Sequence, residues 1–545
     1  MHLGLPDPTA RPYHRTMFPT CLLLAASTLA QSSPTSGGNV CVIVLDDVGA
    51  ELISSCDEVL RARGRPSGVP AVTPAIDAYL AAQGLYFTNA WSMPTCTPSR
   101  AAMLTGRIGS RSGVGRILMP RDDIDNPGLE PGVELLPQLL HLAPVPYTCA
   151  AVGKWHLASS EQLETWPTHP LGLPAGRWFD RHAGAWFNFE NQPSLPYWSS
   201  GYYVWEKAFS TRVRASASPC AAGEPPCVRA MNVNLDAYDY PSVDTVDDAL
   251  DLVRELPEPW FLWLAPNAAH GPDHEVPVGL PSDPCGFGFA NLGNRPAQVM
   301  TVEARRIRCS LTALDQQLAR LFCELDFSDT TVILVSDNGT GELAALPPYQ
   351  PSRVKGSVYQ AGVQVPFLVR SPHLAPGFAG TTSDALVSLA DVFETVRELA
   401  GAPAATLAED SRSLLPVLRG ESASARRSVY TEIFGPNFVP DPATGRPPPG
   451  YTCNRHDQAL RDARFKLVRK WRTAPIGSAP LLVEELYDLQ HGGPPDLSTV
   501  PPTPTPDWLE QNNLLASWPP TDPAVPGALQ RLRRELDTKH PTLVR

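Results

Sequence analysis

Positive charge is in short supply in this 545-residue chain. It has 44 Lys and Arg against 56 Asp and Glu, a formal net charge of −12. That balance excludes nucleic acid as the main partner, so any affinity for a small anion has to come from a local cluster of cations. Zinc-type cysteine spacing is also missing. The eleven cysteines are odd in number and follow no metal-binding pattern, although Cys220 and Cys227 flank a Pro/Gly-bearing loop and are candidates for a disulfide. No run approaches the ~20 apolar residues of a membrane span. Long disordered connections are not expected either, because the 60 prolines stiffen loops and the C-terminal part.

What is present is an ordinary globular balance, 43% hydrophobic and 18% charged, in a chain too long for one core, so two domains are the default. Arg11, His14 and Arg15 precede the apolar run Cys21–Ala30, and Thr28-Leu-Ala30 resembles a small-residue cleavage site. This reads as an export signal for a secreted or periplasmic protein, the alternative being a cytoplasmic protein with a ragged start. Residues 31–38 read as a linker.

Asn39–Leu45, Trp260–Ala265 and Thr331–Val335 are short, continuously apolar runs, as expected of strands buried on both faces of a parallel sheet. Val365–Val369 reads as a fourth strand. Helical patterns fall at 73–84, 135–142, 243–256 and 301–326. Strands alternate with helices, the pattern of a doubly wound α/β domain. Tyr147–His156 reads as a strand with Lys154 and His156 on one face and Trp155 on the other. The aromatic-rich stretch 178–208, including Trp186 and Trp198, has no clear periodicity and reads as a large loop region. Beyond about residue 405 the pattern changes to strands at 428–434 and 463–471 and a terminal helix at 527–538, a smaller α+β unit with an antiparallel sheet.

Met93–Arg107 reads as a loop turning into a helix. Pro98 suits the first helical position, Ala101–Leu104 propagate the helix and Gly106 ends it. Cys96 is placed at the helix start, where backbone N–H groups favour an anion or thiolate, with Arg100 one turn on. In open parallel sheets, ligands bind beyond the carboxyl ends of the strands. Asp46 and Asp47 follow the first strand, His270 follows the Trp260–Ala265 strand, and Asp337 and Asn338 follow the Thr331–Val335 strand. Four hard oxygen donors suit Ca²⁺ or Mg²⁺. Arg100, Lys154, His156, His270 and Lys355 can surround that ion, a setting for a small, highly charged anion.

Cys96-Thr-Pro-Ser-Arg-Ala-Ala-Met-Leu-Thr-Gly-Arg107 resembles the signature of the type I, formylglycine-dependent sulfatases, and Gly153-Lys-Trp-His-Leu157 resembles their second signature. Asp46-Asp47, Asn267–Pro272, Ser336–Gly339, Lys355–Pro366, Leu386–Gly420 and Glu485–Leu489 follow in the family's order, so the likeness covers roughly 39–490. Gln360-Ala361 departs from the more usual Glu-Gly.

The resemblance implies an alkaline-phosphatase-like fold, with a mainly parallel sheet flanked by helices. With the export signal and linker and the change of pattern near 405, the chain divides into a leader and linker at 1–38, a catalytic domain at 39–405 and a C-terminal subdomain at 406–545. Cys96 is implied to become formylglycine through a formylglycine-generating enzyme. As a gem-diol it would attack the sulfur of a sulfate ester and release the alcohol; the covalent sulfate would then be eliminated as the aldehyde re-forms. Asp46, Asp47, Asp337 and Asn338, with the nucleophile at Cys96, are implied to hold the cation, Ca²⁺ before Mg²⁺. Arg100 and His156 would stabilise the nucleophile, Lys154 and Lys355 the sulfate oxygens, and His270 would protonate the leaving oxygen. His274 fits a loop role better. Two rival readings use the same residues: a phosphonate or phosphate ester hydrolase, and a sulfated-glycan binding protein with Cys96 unmodified.

Overall fold

The structure, a computed structural model, describes residues 37–543 apart from 66–68, 120–125, 131–132, 159–177, 186–203, 212–226, 233–239, 272–275, 277–299, 442–445, 474–479, 492, 497–502 and 541. The export-signal reading at 1–38, Trp186, Trp198, Cys220 and His274 therefore lie wholly or largely outside the described residues.

Strands β1 (Asn39–Leu45), β2 (Leu85–Trp91), β3 (Thr148–Gly153), β4 (Arg181–Gly184), β5 (Val204–Thr211), β6 (Cys227–Asn232), β7 (Trp260–Ala265), β8 (Thr330–Ser336), β9 (Phe367–Arg370) and β10 (Thr381–Ser388) form one sheet. Its order is β10-β2-β9-β8-β1-β7-β3-β4-β5-β6. The central run β8-β1-β7-β3-β4 is parallel, and β1 is buried along its whole length. Side-chain alternation divides the core. Val40, Val42 and Val44 join one apolar cluster, and Cys41, Ile43 and Leu45 join the other. Helix α1 (Cys96–Thr105) covers the first face with Ala101, Met103 and Leu104. Helices α2 (Pro241–Glu255) and α3 (Val302–Glu324) cover the second through Val246, Ala249, Leu311, Leu314 and Leu318. Among the described residues, no helix is long and apolar enough to cross a membrane.

Several expectations are corrected. The alkaline-phosphatase-like reading of a mainly parallel sheet with helices on both faces holds, but strand β9 runs antiparallel to both β2 and β8, so the fourth expected strand makes the sheet mixed; an apolar run looks the same in either direction. Strand β3 stops at Gly153, whose φ is +90° and whose added Cβ would lie 2.1 Å from the Ala265 carbonyl oxygen. Lys154 and His156 therefore lie beyond the strand, and His156 adopts φ +60°. Part of the 178–208 stretch is strand rather than loop (β4 and β5), with Trp178 and Phe179 packed about Trp155 at ring distances of 6.0 and 6.1 Å. Pro98 occupies the third helical position, because Thr95 is the N-cap. Its missing N–H still costs nothing there, since the first turn has no intrahelical acceptors.

The second sheet is antiparallel and consists of β11 (Val429–Gly435), β12 (Arg455–Arg461), β13 (Phe465–Arg472) and β14 (Leu481–Asp488). Helix α4 (Asp391–Leu399) precedes it and α5 (Ala524–Lys539) packs on it. Val525, Leu529, Leu532 and Leu536 of α5 share a cluster with Leu460, Leu467 and Leu486, and also with Met93 and Ile108. The second sheet thus buttresses the segments on either side of α1.

Candidate active site

Five strand ends converge. Asp46 and Asp47 leave β1, Asp337 and Asn338 leave β8, Lys154 and His156 leave β3, His270 follows β7, and the β2 exit leads to Cys96. Backbone bonds lock these exits together: Asp337 N–H to Leu45 O at 3.0 Å, Lys154 N–H to Ala265 O at 2.7 Å, and Ala269 N–H to Asp46 O at 3.0 Å. Cys96 opens α1, and its Sγ lies 3.7 Å from Asp46 Oδ1 and 4.0 Å from Asp47 Oδ1.

Each carboxylate meets a cation. Lys154 Nζ is 2.6 Å from Asp46, and Lys355 Nζ is 2.6 Å from Asp47. Arg100 donates through Nε to Asp337 at 2.9 Å and through Nη1 to the Lys154 carbonyl at 2.7 Å. His270 Nε2 stands 3.7 Å from Asp47. Asn338 Nδ2 donates to Asp47 at 2.8 Å. Asp46, Arg100, Lys154 and Asp337 are fully buried, whereas Asp47, His270 and Lys355 keep some exposure. The pocket therefore opens on the side of these three. Asp47 and His156 are two of three described non-glycine residues with positive φ, a strain that concentrates at sites held by their surroundings.

The charges reshape one another. Burial opposes the Asp47 carboxylate, but Lys355, His270 and Lys154 hold it well below the usual carboxylate range. Burial, then the neighbouring Asp46 charge, raises Asp337. Burial and Lys355 push His270 down to about 3, and burial with Lys154 keeps His156 neutral. Burial and the Asp337 charge push the Cys96 thiol up to about 12. Burial first, and Asp337 second, thus oppose the thiolate at this helix end, which leaves the other expectation, a bound anion.

All ten sequence-derived site residues are in or beside this pocket. Cys96, Asp46, Asp47 and His270 offer ligand atoms within 4.8 Å of one another, a group able to hold a metal ion. Asp337 and Asn338 are tied to it through Asp47, and the fully buried Asn338 Oδ1 has no hydrogen-bond partner among the described residues. Three packed carboxylates and an orphaned amide oxygen are the surroundings a hard divalent cation satisfies. His156 is set back: its Nε2 meets the Leu118 carbonyl at 2.8 Å. Leu118 and the layer beneath the site were not legible in sequence. In that layer, Thr340 Oγ1 accepts the Gly49 N–H at 3.2 Å and donates to Glu51. Only the Gly49 turn hinted at it.

A family profile described as Sulfatase matches residues 38–402. The chain belongs to the sulfatase family. It is a sulfuric ester hydrolase, and the profile spans every residue of the pocket. This sulfatase is 28% identical over 443 residues to arylsulfatase A of Homo sapiens, covering 78% of this chain and 75% of that protein. It is 26% identical to N-acetylgalactosamine-6-sulfatase of Canis lupus familiaris, covering 75% and 71%. The fold is shared with the crystal structure of Ps i-CgsB (TM-score 0.59, 21% identity, 93% and 94% covered). It is also shared with BT4656 in complex with its substrate D-glucosamine-2-N,6-O-disulfate (TM-score 0.58, 16% identity, 92% and 97% covered).

Proposed function

We propose that the sulfatase hydrolyses aryl or carbohydrate sulfate esters with a formylglycine made from Cys96. The observation that supports this most directly is the placement of Cys96 at the first position of α1, within 4.0 Å of both Asp46 and Asp47. A plain thiol has no second hydroxyl from which sulfate could be eliminated. Conversion by a formylglycine-generating enzyme supplies that hydroxyl and replaces a thiol whose deprotonation this site opposes.

Asp46, Asp47, Asp337 and Asn338, with the modified Cys96 side chain, would hold a divalent cation, Ca²⁺ before Mg²⁺. When bound, the ion supplies positive charge to the sulfate oxygens and the nucleophile. The chain's own residues do the rest. Lys154 and Lys355 are anchored by Asp46 and Asp47, so their ammonium groups are fixed before substrate arrives, and Lys355 stays protonated because Asp47, with Asp46 and Asp337 behind it, offsets the burial that opposes its charge. Arg100 fixes Asp337 and braces the Lys154 backbone. His270 is the acid for the leaving oxygen. An arriving sulfate offsets Lys355 and Lys154, the charges that depress the His270 ring, and so raises its proton affinity. We further propose export to an oxidising compartment, which fits the disulfide at Cys309.

The test compares aryl sulfate and aryl phosphonate turnover by wild type and Cys96→Ala, with peptide mass spectrometry across Cys96. Sulfate release by protein carrying the aldehyde, and loss of at least about a thousandfold in Cys96→Ala, is expected. Turnover by protein with an intact thiol, or hydrolysis of the phosphonate alone, would sink the reading.

A further inference from the structure

Cations also gather on the second sheet, next to the loop that carries Lys355. Strands β12 and β13 pair with Arg455 opposite Arg472 and Asp457 opposite Lys470, so these four side chains share one sheet face. Arg455 donates through Nε and Nη2 to Asp457 at 2.9 and 2.7 Å, and Arg472 also bonds Asp457. Two guanidinium groups therefore share one buried carboxylate and leave one net positive charge. Other arginines at the surface, such as the half-buried Arg63 with Asp384 and the exposed Arg320 with Asp247 and Arg531 with Asp462, have an acid each.

The location gives this surplus a use. Arg455 Nη2 donates to the Gly356 carbonyl at 3.2 Å. Gly356 follows Lys355, and its N–H donates to Pro94 O at 2.7 Å, two residues before Cys96. The arginine thus touches the junction of the Lys355 loop and the Cys96 segment. Lys355 is one of the three residues on the open side of the pocket. Arg455 and Arg472 remain 41% and 40% exposed, with Arg455 Nη1 clear of partners among the described residues. Holding Asp457 requires only one of the two charges.

We propose that Arg455 and Arg472 form a second anion subsite at the pocket mouth, which recognises a carboxylate or a second sulfate on the alcohol half of the substrate. The preferred substrates are then sulfate esters of polyanionic alcohols, such as acidic or multiply sulfated sugars, rather than simple aryl sulfates. This rests on the sulfatase reading above. A planar fork suits either oxyanion. Its partial exposure limits the gain to about tenfold in affinity.

Phenyl sulfate, 3-carboxyphenyl sulfate and benzene-1,3-diyl bis(sulfate) are the probes, used with wild type, Arg455→Gln, and the triple variant R455Q/R472Q/D457N, which removes the buried carboxylate together with its partners. The ratio of kcat/KM for a dianionic probe to kcat/KM for phenyl sulfate should fall about tenfold, through KM, in the triple variant. The carboxylated and bis-sulfated arms show which oxyanion is preferred. In a Cys96→Ala background, calorimetric affinity for the same probes should fall in parallel. An unchanged ratio, or equal losses on all probes, overturns the subsite while leaving the sulfatase reading intact. Absence of turnover of every probe by wild type overturns both.

Discussion

The Lys154 ammonium lies 2.6 Å from Asp46, and both side chains are fully buried. Removing Lys154 leaves the buried Asp46 carboxylate away from water with only Arg100, 3.8 Å off, as a counter-charge, and breaking a buried pair in this way costs about 3–5 kcal/mol. Lys154→Met should therefore lower the free energy of urea unfolding by that order and reduce kcat by at least about a hundredfold, because the ammonium also faces the developing sulfate charge. Adding Asp46→Asn removes the orphaned carboxylate. The double variant should recover most of the stability; because Asp46 belongs to the proposed metal set, the part Lys154 plays in turnover is read from the single variant, where an unchanged kcat would mean that Lys154 only holds the fold. This pair also shows why the pocket was legible at the level of residues. Asp46 and Asp337 end apolar runs and Lys154 follows one, so a parallel sheet brings them to the same edge. Arg455 was not legible, because its role depends on the β12–β13 register and on a contact with Gly356 roughly a hundred positions away in the chain. Glu510 was equally silent. It reaches Lys466 at 2.6 Å and the Gln360 backbone at 2.6 Å from a loop near the C-terminus.

Helix α5 carries a pH-dependent contact at its C-terminal end. His540 stacks on Tyr430 at 3.7 Å with rings nearly parallel, and its carbonyl accepts from Gln458 at 2.7 Å. Burial pushes the imidazole down to about 4, with Glu432 and Glu535 partly offsetting and Arg111 and Lys539 opposing protonation. The unfolded chain, with a histidine near pH 6.5, binds the proton first, so stability is lost as pH falls from about 6.5 towards 4. Between about pH 7 and pH 5 this one group accounts for about 2 kcal/mol. His540→Phe keeps a ring on Tyr430 and removes the titration, so its unfolding free energy should decline by that much less over the same range. An identical pH slope in the variant would remove His540 as the cause. Element existence was readable from period and length, as α3 and β7 show. Element ends and directions were not: Gly153 ends β3 through a backbone angle and a close approach to Ala265, and the antiparallel sense of β9 is set by its neighbours.

At the scale of the whole molecule, the candidate metal ligands tie distant parts of the chain together. Residues 46–47 leave β1, Cys96 opens α1 and residues 337–338 leave β8, so the donor set does not exist until the sheet and α1 are assembled. An ion that binds only this assembled set stabilises the folded state by RT ln(1 + [ion]/Kd), about 2.7 kcal/mol at a hundredfold excess over Kd. The local charges argue in the same direction. Burial and Asp46 already raise Asp337, and a divalent cation relieves that repulsion across all three carboxylates together. Treatment with a chelator should therefore lower the thermal midpoint by several degrees and remove activity. Ca²⁺ should restore both, with a midpoint that climbs with the logarithm of its concentration. Asp337→Asn combined with Asn338→Ala takes the acid from the buried Arg100 and so starts from a lower midpoint without the ion, and it should abolish the Ca²⁺-dependent rise. A rise that survives in this variant would place the stabilising ion elsewhere in the molecule.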